Sequence, residues 1–174
     1  MPDPTLTEAI KEAYAVAPRG AIIYHTLEIW HSDFSAPIRV VRDWADLVAT
    51  LEADAPRNPG EEVTFVKYAF DFVKPEVGPD SIPSMQITID NVDRLIAASI
   101  EAALGSTEFV TVIYREYLSS DLTAPQNDPP ITLQVTDVTV DMFRITATCG
   151  FPDLMNRKFP TTEYSAEAFP GLVD

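Results

Sequence analysis

Positive charge is scarce in this sequence, and cysteine and histidine are scarcer. Twelve Lys plus Arg stand against twenty-seven Asp plus Glu, a formal net charge of −15 with a sequence pI near 4.3. An acidic surface repels phosphate, which argues against nucleic-acid partners and anionic membranes. The single cysteine, Cys149, excludes an intrachain disulfide and fits a reducing compartment. His25 and His31 lie on one expected strand, roughly 20 Å apart at about 3.3 Å per residue, too far to grip one metal. No apolar run approaches the roughly 20 residues that span a bilayer. The opening MPDPTLTEAIKEAY lacks the basic and apolar regions of a signal peptide, so a soluble protein made in a cytoplasm is expected.

Catalytic signatures are missing as well. There is no P-loop, no GxGxxG, no GxSxG and no HExxH, and SDLTAPQNDPP departs from a calcium loop at several places. Cys149 reads as a small buried hydrophobe at a strand end rather than a nucleophile, since no local motif activates it. Acidic pairs arise readily in such a chain: Glu61 with Glu62, Asp137 with Asp141, and Asp90 with Asp93, the last reading as acids favoured at a helix N-terminus. The sequence therefore assigns no catalytic, metal-binding or cofactor-binding residue, and no cofactor is expected.

What is present is enough apolar material for one core. With 46% hydrophobic and 10% aromatic residues in 174, burial can offset the entropy of ordering a single domain. Glycines and prolines punctuate short elements. Thr5 and Glu8 have capping-box spacing before a stripe of Leu6, Ile10, Ala13 and Tyr14, which predicts an N-terminal helix closed by Pro18. AIIYHTLEIWH alternates like a strand and, through SDFSAP, pairs with IRVVRD as a hairpin. Residues Trp44 to Leu51 fit a helix or an extended segment equally. EVTFVKYAFDFV reads as a long strand with a phase slip near Val66.

MQITID is a strand that runs into an amphipathic helix over Val92, Leu95, Ile96, Ser99, Ile100 and Ala103, stopped by Gly105. EFVTVIYREYL, apolar on both faces, belongs in the middle of a sheet. ITLQVTDVTVDMFRITATCGF is one bent strand or two, slipping near Asp137 and again near Met142. The sum is six to eight strands and two helices: an α+β, mainly β fold, as an antiparallel β-sandwich or split barrel with one or two packed helices. The chain divides into an N-terminal helical segment (1–18), a β-rich core domain (19–150) and an extended C-terminal arm (151–174). In that arm Arg157 and Lys158 form a weak basic patch, while Phe159, Tyr164 and Phe169 suit an extended segment whose rings fill pockets on its own domain or on a neighbour.

The blocks EADAPRNPGEEVTFVKYAFDFVKP, MQITIDNVDRLI, VTVIYREYLSSD and PPITLQVTDVTVDMFRITATCGFPDLMNRKFPTTEYSAEAFPGL, in that order, resemble a family of tail proteins from long-tailed phages described only as a domain of unknown function. The resemblance covers about Ala21 to Leu172. It implies a non-enzymatic structural protein of the tail tip, found in the virion and assembled in the host cytoplasm, with a tail-tube-like fold. One implied role is a distal tail ring, usually a hexamer, that contacts copies of itself, the tail tube, the hub and the tape-measure protein. The other is a domain of the trimeric hub, an analogy weakened because the cluster-bearing hub proteins use several cysteines. A small carbohydrate-binding or hydrolytic tip module, motivated by the many carboxylates with Trp30 and Trp44, is the reading from a different class. The acid excess suits a lumen through which DNA passes without sticking, and equally promotes solubility. As interface residues the arm offers Arg157, Lys158, Phe159, Tyr164 and Phe169.

Overall fold

The computed structural model describes residues 6–16, 21–73, 84–90, 108–141 and 144–152, together with positions 99, 103 and 106. Among them the elements run α1 (Glu8–Val16), β1 (Ile23–Trp30), β2 (Ile38–Val41), β3 (Leu47–Thr50), β4 (Glu62–Lys67), β5 (Phe70–Val73), β6 (Ser84–Asp90), β7 (Thr111–Leu118), β8 (Ile131–Val140) and β9 (Arg144–Gly150). The fold is α+β and mainly β. All nine strands join one mixed sheet, in the order β3-β4-β2-β1-β7-β8-β9-β6-β5. The pairings are antiparallel except that of β2 with β4.

β7 holds the middle of that order, as its two apolar faces require, and every residue from Val112 to Leu118 is buried. β1 and β2 form the expected hairpin, with Leu27 opposite Val40 and Ile29 opposite Ile38. The ambiguous stretch from Trp44 resolves as extended: Leu47 and Ala49 point into the core while Val48 faces out, a period of two. The slip near Asp137 is a β-bulge between Val135 and Asp137, and the segment after it divides into the antiparallel neighbours β8 and β9. The helix cap moves: Thr7 accepts from the Ile10 amide at 3.5 Å and starts α1, whereas Thr5 lies outside the described residues. The second helix, expected over residues 91–104, falls almost wholly outside them too.

The long strand after residue 61 breaks where its alternation slips, into β4 and β5. The two residues of the break do different work. The Tyr68 amide donates to the Val41 carbonyl at the end of β2, while the Ala69 carbonyl accepts from the Asp90 amide at the end of β6. Because β2 and β6 lie far apart in the strand order, this bend obliges the sheet to roll on itself. Ring contacts agree. Phe72 of β5, last in the order, lies 5.1 Å from His25 of β1 and 5.0 Å from Tyr114 of β7 between ring centroids.

Rolling gives the sheet an inside. Leu27, Val40, Met85, Ile87, Leu133 and Ile145 meet there in one apolar cluster, each at most 2% exposed. A smaller cluster, centred on Phe65, Tyr117, Val41 and Leu51, fills the opposite face of β1, β2 and β7 beneath β3. α1 is tied to the loop after β7 by the Thr7 amide to the Gln126 carbonyl (3.0 Å) and by Thr7 Oγ1 to Gln126 Oε1 (2.8 Å), with Ile10 fully buried. Leu27 sits at the centre of the inner cluster, so Leu27→Ala is expected to lower stability by about 2–5 kcal/mol. Urea unfolding checks this, and a loss below about 1 kcal/mol would place Leu27 outside the core.

Candidate functional site

Among the described residues three polar assemblies interrupt the apolar architecture. The first is organised by Glu28 on β1, a fully buried carboxylate on the face opposite Leu27. Arg39 of β2, directly across the hairpin, donates through Nε to Oε2 at 3.0 Å, and Arg57 donates through Nε to Oε1 at 2.9 Å. Arg115 of β7 reaches Oε2 at 3.4 Å and grips Glu52 with both Nε (2.7 Å) and Nη2 (2.6 Å), a bidentate fork. Burial works against the Arg115 charge, but the hydrogen bonds and charge of Glu52, then the charge of Glu28, outweigh it and raise its pKa. The Arg57 guanidinium also lies 5.0 Å from the Trp30 ring centroid, a cation–π contact.

The purpose of this network is a loop. Residues 52–61 carry Glu52 and Arg57 into it, and Asn58 joins through its side chain, accepting from Arg39 Nη2 (2.8 Å) and donating to Glu61 Oε2 (2.7 Å). The loop closes by the Gly60 amide on the Glu52 carbonyl, at 3.0 Å. That closure needs left-handed backbone at Asn58 (φ 53°) and Gly60 (φ 67°), the residue types that tolerate it.

The second assembly lies inside the roll, near α1. His25 Nδ1 and the Tyr114 hydroxyl are 2.7 Å apart; that hydroxyl donates to Glu116 Oε1, as does the Tyr14 hydroxyl from α1 at 3.0 Å. Asn127 accepts from the Glu116 amide at 2.8 Å and donates to the Tyr114 carbonyl. Burial, reinforced by the Glu116 charge, raises the pKa of Tyr14 and Tyr114 well above the usual phenol value. The cluster latches the helix to the sheet.

The third is an open groove over the seam, about 860 Å³ in volume, walled by the β2–β3 connector, the β4–β5 bend and the ends of β6 and β9. Arg42 pairs there with Asp71 at 3.4 Å and Arg144 with Asp90 at 3.9 Å, and Trp44 stands beside them 94% exposed. No sequence motif marked this groove; its one sign in the sequence is Trp44, one of the two tryptophans behind the carbohydrate-binding reading.

The sequence candidates fall out differently. His25 and His31 do not meet. His31 is buried: its Nδ1 accepts from the Asp33 amide at 3.1 Å and its Nε2 faces the Glu108 carbonyl at 3.3 Å, so it braces the turn after β1. Cys149 is fully buried in the inner cluster, and burial pushes its thiol up to about 12. Asp137 and Asp141 are exposed, and Asp93 lies outside the described residues. So do Arg157, Lys158, Phe159, Tyr164 and Phe169. Among the described residues no group of three or more His, Cys, Asp or Glu is placed to hold a metal. Sequence reasoning missed Glu28, Arg115 and Glu116, although charges of both signs inside otherwise apolar strands were its available sign.

Two tests follow. Glu28→Gln leaves three guanidiniums around an uncharged amide and is expected to cost about 3–5 kcal/mol, whereas Arg144→Gln, removing an exposed pair, costs less than about 1 kcal/mol. Equal urea midpoints for the two variants would contradict this. For pH, Cys149, Tyr14, Tyr114 and Tyr117 all hold their protons more tightly folded than unfolded. Their contribution is intact below the ordinary values of 9.0 for cysteine and 10.0 for tyrosine and is lost as pH rises toward the folded values. Stability is therefore expected to fall once pH passes about 9. Denaturation midpoints that stay level to pH 11 would refute it, on the order of the pH range these groups span.

Comparison with known proteins gives one positive result. Residues 9–164 match a family described as a domain of unknown function, DUF1833. No curated protein matches the chain. The family match takes in α1 from Ala9 onward, every described strand and all three polar assemblies, leaving only eight residues before it and ten after. The chain belongs to the DUF1833 family.

Proposed function

We propose that this protein is a non-enzymatic structural subunit of the tail tip of a long-tailed phage, a distal tail ring that links the tail tube to the hub. The order of blocks from Glu52 onward carries the reading, because those blocks coincide with the loop 52–61, the β4–β5 bend and strands β6 to β9. They are scaffold. The buried ionisable groups support the same reading, since they are engaged with one another: Glu28 with three arginines, Glu116 with two tyrosines and His31 with backbone.

The sheet ends also suit assembly. Among the described residues β3 and β5 each pair on one side only, and they differ in sequence and setting. Joining unlike ends is a heterologous contact, the kind that generates rings when the rotation closes, and neighbours then cover strand edges that invite aggregation in a free monomer. On this reading the partners are further copies of the chain, the tube, the hub and the tape-measure protein, and the location is the virion. Arg157, Lys158, Phe159, Tyr164 and Phe169 are the contacts of the arm. A trimeric hub domain is the other role the resemblance implies.

Purified phage particles and the isolated protein provide the test. The expected result is a closed ring by cryo-electron microscopy and the chain present in tails. A strictly monomeric protein at high concentration that is absent from particles would sink the proposal. Truncation after Gly150 tests the arm: the shortened protein is expected to fold and to lose its place in the tail. Retained incorporation would remove any role for those residues in docking.

A further inference from the structure

Trp44 has a fixed backbone and an unburied side chain. The Arg42 amide donates to the His25 carbonyl at 3.0 Å, the Asp43 amide to the Val41 carbonyl at 3.0 Å, and the Asp46 carboxylate accepts from the Lys67 amide at 2.9 Å. The connector is thus tied on both sides of an indole that is 94% exposed. A lone exposed aromatic needs no explanation. This one stands on the rim of a groove of about 860 Å³, within the roughly 300–1,000 Å³ usual for ligand sites.

The groove's chemistry selects among occupants. Six of its eleven described lining residues are charged: Arg42, Lys67 and Arg144 against Asp43, Asp71 and Asp90. The centre of a protein–protein interface is depleted in Lys, Asp and Glu, and an interface tryptophan is ringed by close-packed contacts that exclude water. Here three aspartates and a lysine, the depleted types, are set among Tyr68, Phe70, Arg42 and Arg144, types that interfaces favour. The formal charges of the described lining residues cancel in a protein of net charge −15, so those residues favour neither a polyanion nor a cation, and a polyanion is repelled by the rest.

A neutral sugar chain meets these conditions. A pyranose carries C–H groups on one face, which lie flat on an open indole. Its hydroxyls both donate and accept, so they suit alternating carboxylates and guanidiniums. The existing pairs leave room for them: Arg42–Asp71 at 3.4 Å and Arg144–Asp90 at 3.9 Å are long and exposed on both sides, and such pairs cost little to open. We infer that the seam groove binds a neutral polysaccharide, with Trp44 as the stacking platform and Asp71, Asp90, Arg42 and Arg144 as hydroxyl partners. The inference stands apart from the tail-tip reading, since sugar binding and incorporation into a particle are measured separately.

The experiment is calorimetric titration of the full chain with neutral hexasaccharides of glucose, mannose, galactose and N-acetylglucosamine. At least one is expected to bind saturably with a dissociation constant in the millimolar range or tighter. Trp44→Ala should abolish that heat and Trp44→Phe retain it in weakened form, both without change in circular dichroism. Asp90→Asn should weaken binding by about tenfold, the scale of one lost charge-assisted hydrogen bond. The inference is overturned if no member of the panel binds, if binding survives Trp44→Ala, or if only an acidic oligosaccharide such as hexagalacturonate binds. It is also overturned if Trp44→Ala alters the assembly state in sedimentation while no sugar binds, which would make the groove a protein contact.

Discussion

The architecture depends on two consecutive residues. At Tyr68 and Ala69 the chain leaves one end of a nine-stranded sheet and joins the other, spending one backbone hydrogen bond on the end of β2 and one on the end of β6. A flat sheet of this length would leave one face of β6, β9 and β8 to water. Once the bend draws its ends together, those strands turn Met85, Ile87, Ile145, Leu133 and Cys149 toward Leu27 and Val112 from the centre of the order. Area buried in this way is the main favourable term in folding. The seam also has an outer side, and that side is the groove beside Trp44.

The buried ions serve a different end. Desolvating Glu28 and Arg115 costs several kcal/mol per ion in general terms, and mutual attraction returns that only when the geometry is good and the remaining valences are satisfied. Here Glu28 takes three guanidiniums and Arg115 takes two carboxylates, so the penalty is shared over one network. What it secures is position: the loop 52–61 is fixed against β1, β2 and β7, and β4 enters the sheet from the end of that loop. The inner cluster of His25, Tyr114 and Glu116 does the same for α1. In both places buried charge holds a connection in one arrangement, which is the use of buried polarity that specifies a unique structure.

Much of the strand content was legible because it rests on local alternation. The hairpin of β1 and β2, the central placing of β7 and the slip near Asp137 each follow from which residues repeat at a period of two. The break in the strand after residue 61 was legible as a slip near Val66, two residues ahead of the bend at Tyr68 and Ala69, but the closure it performs was not. Closure depends on hydrogen bonds to Val41 and Asp90, which no local window contains. The same holds for the ion network: Arg39, Arg57 and Arg115 are 11, 29 and 87 residues from Glu28. Glu28 also sits on the strand face shared with Tyr24, Thr26 and Trp30, where alternation alone cannot tell a covered face from a wet one. The family match supports only the coarser part of the resemblance, a domain of unknown function, and the residues emphasised from Glu52 onward include those of the loop, the bend and the strands that the bend brings together.

Native-state hydrogen exchange at two amides tests the closure most directly. If the bend holds the rolled sheet, the Tyr68 and Asp90 amides exchange only through opening of the inner core, with protection close to that of Ile113 and Tyr114 in the central strand. Exchange of Tyr68 and Asp90 at rates typical of exposed loops, while β7 stays protected, would show a sheet that stands open at the seam and would contradict the account.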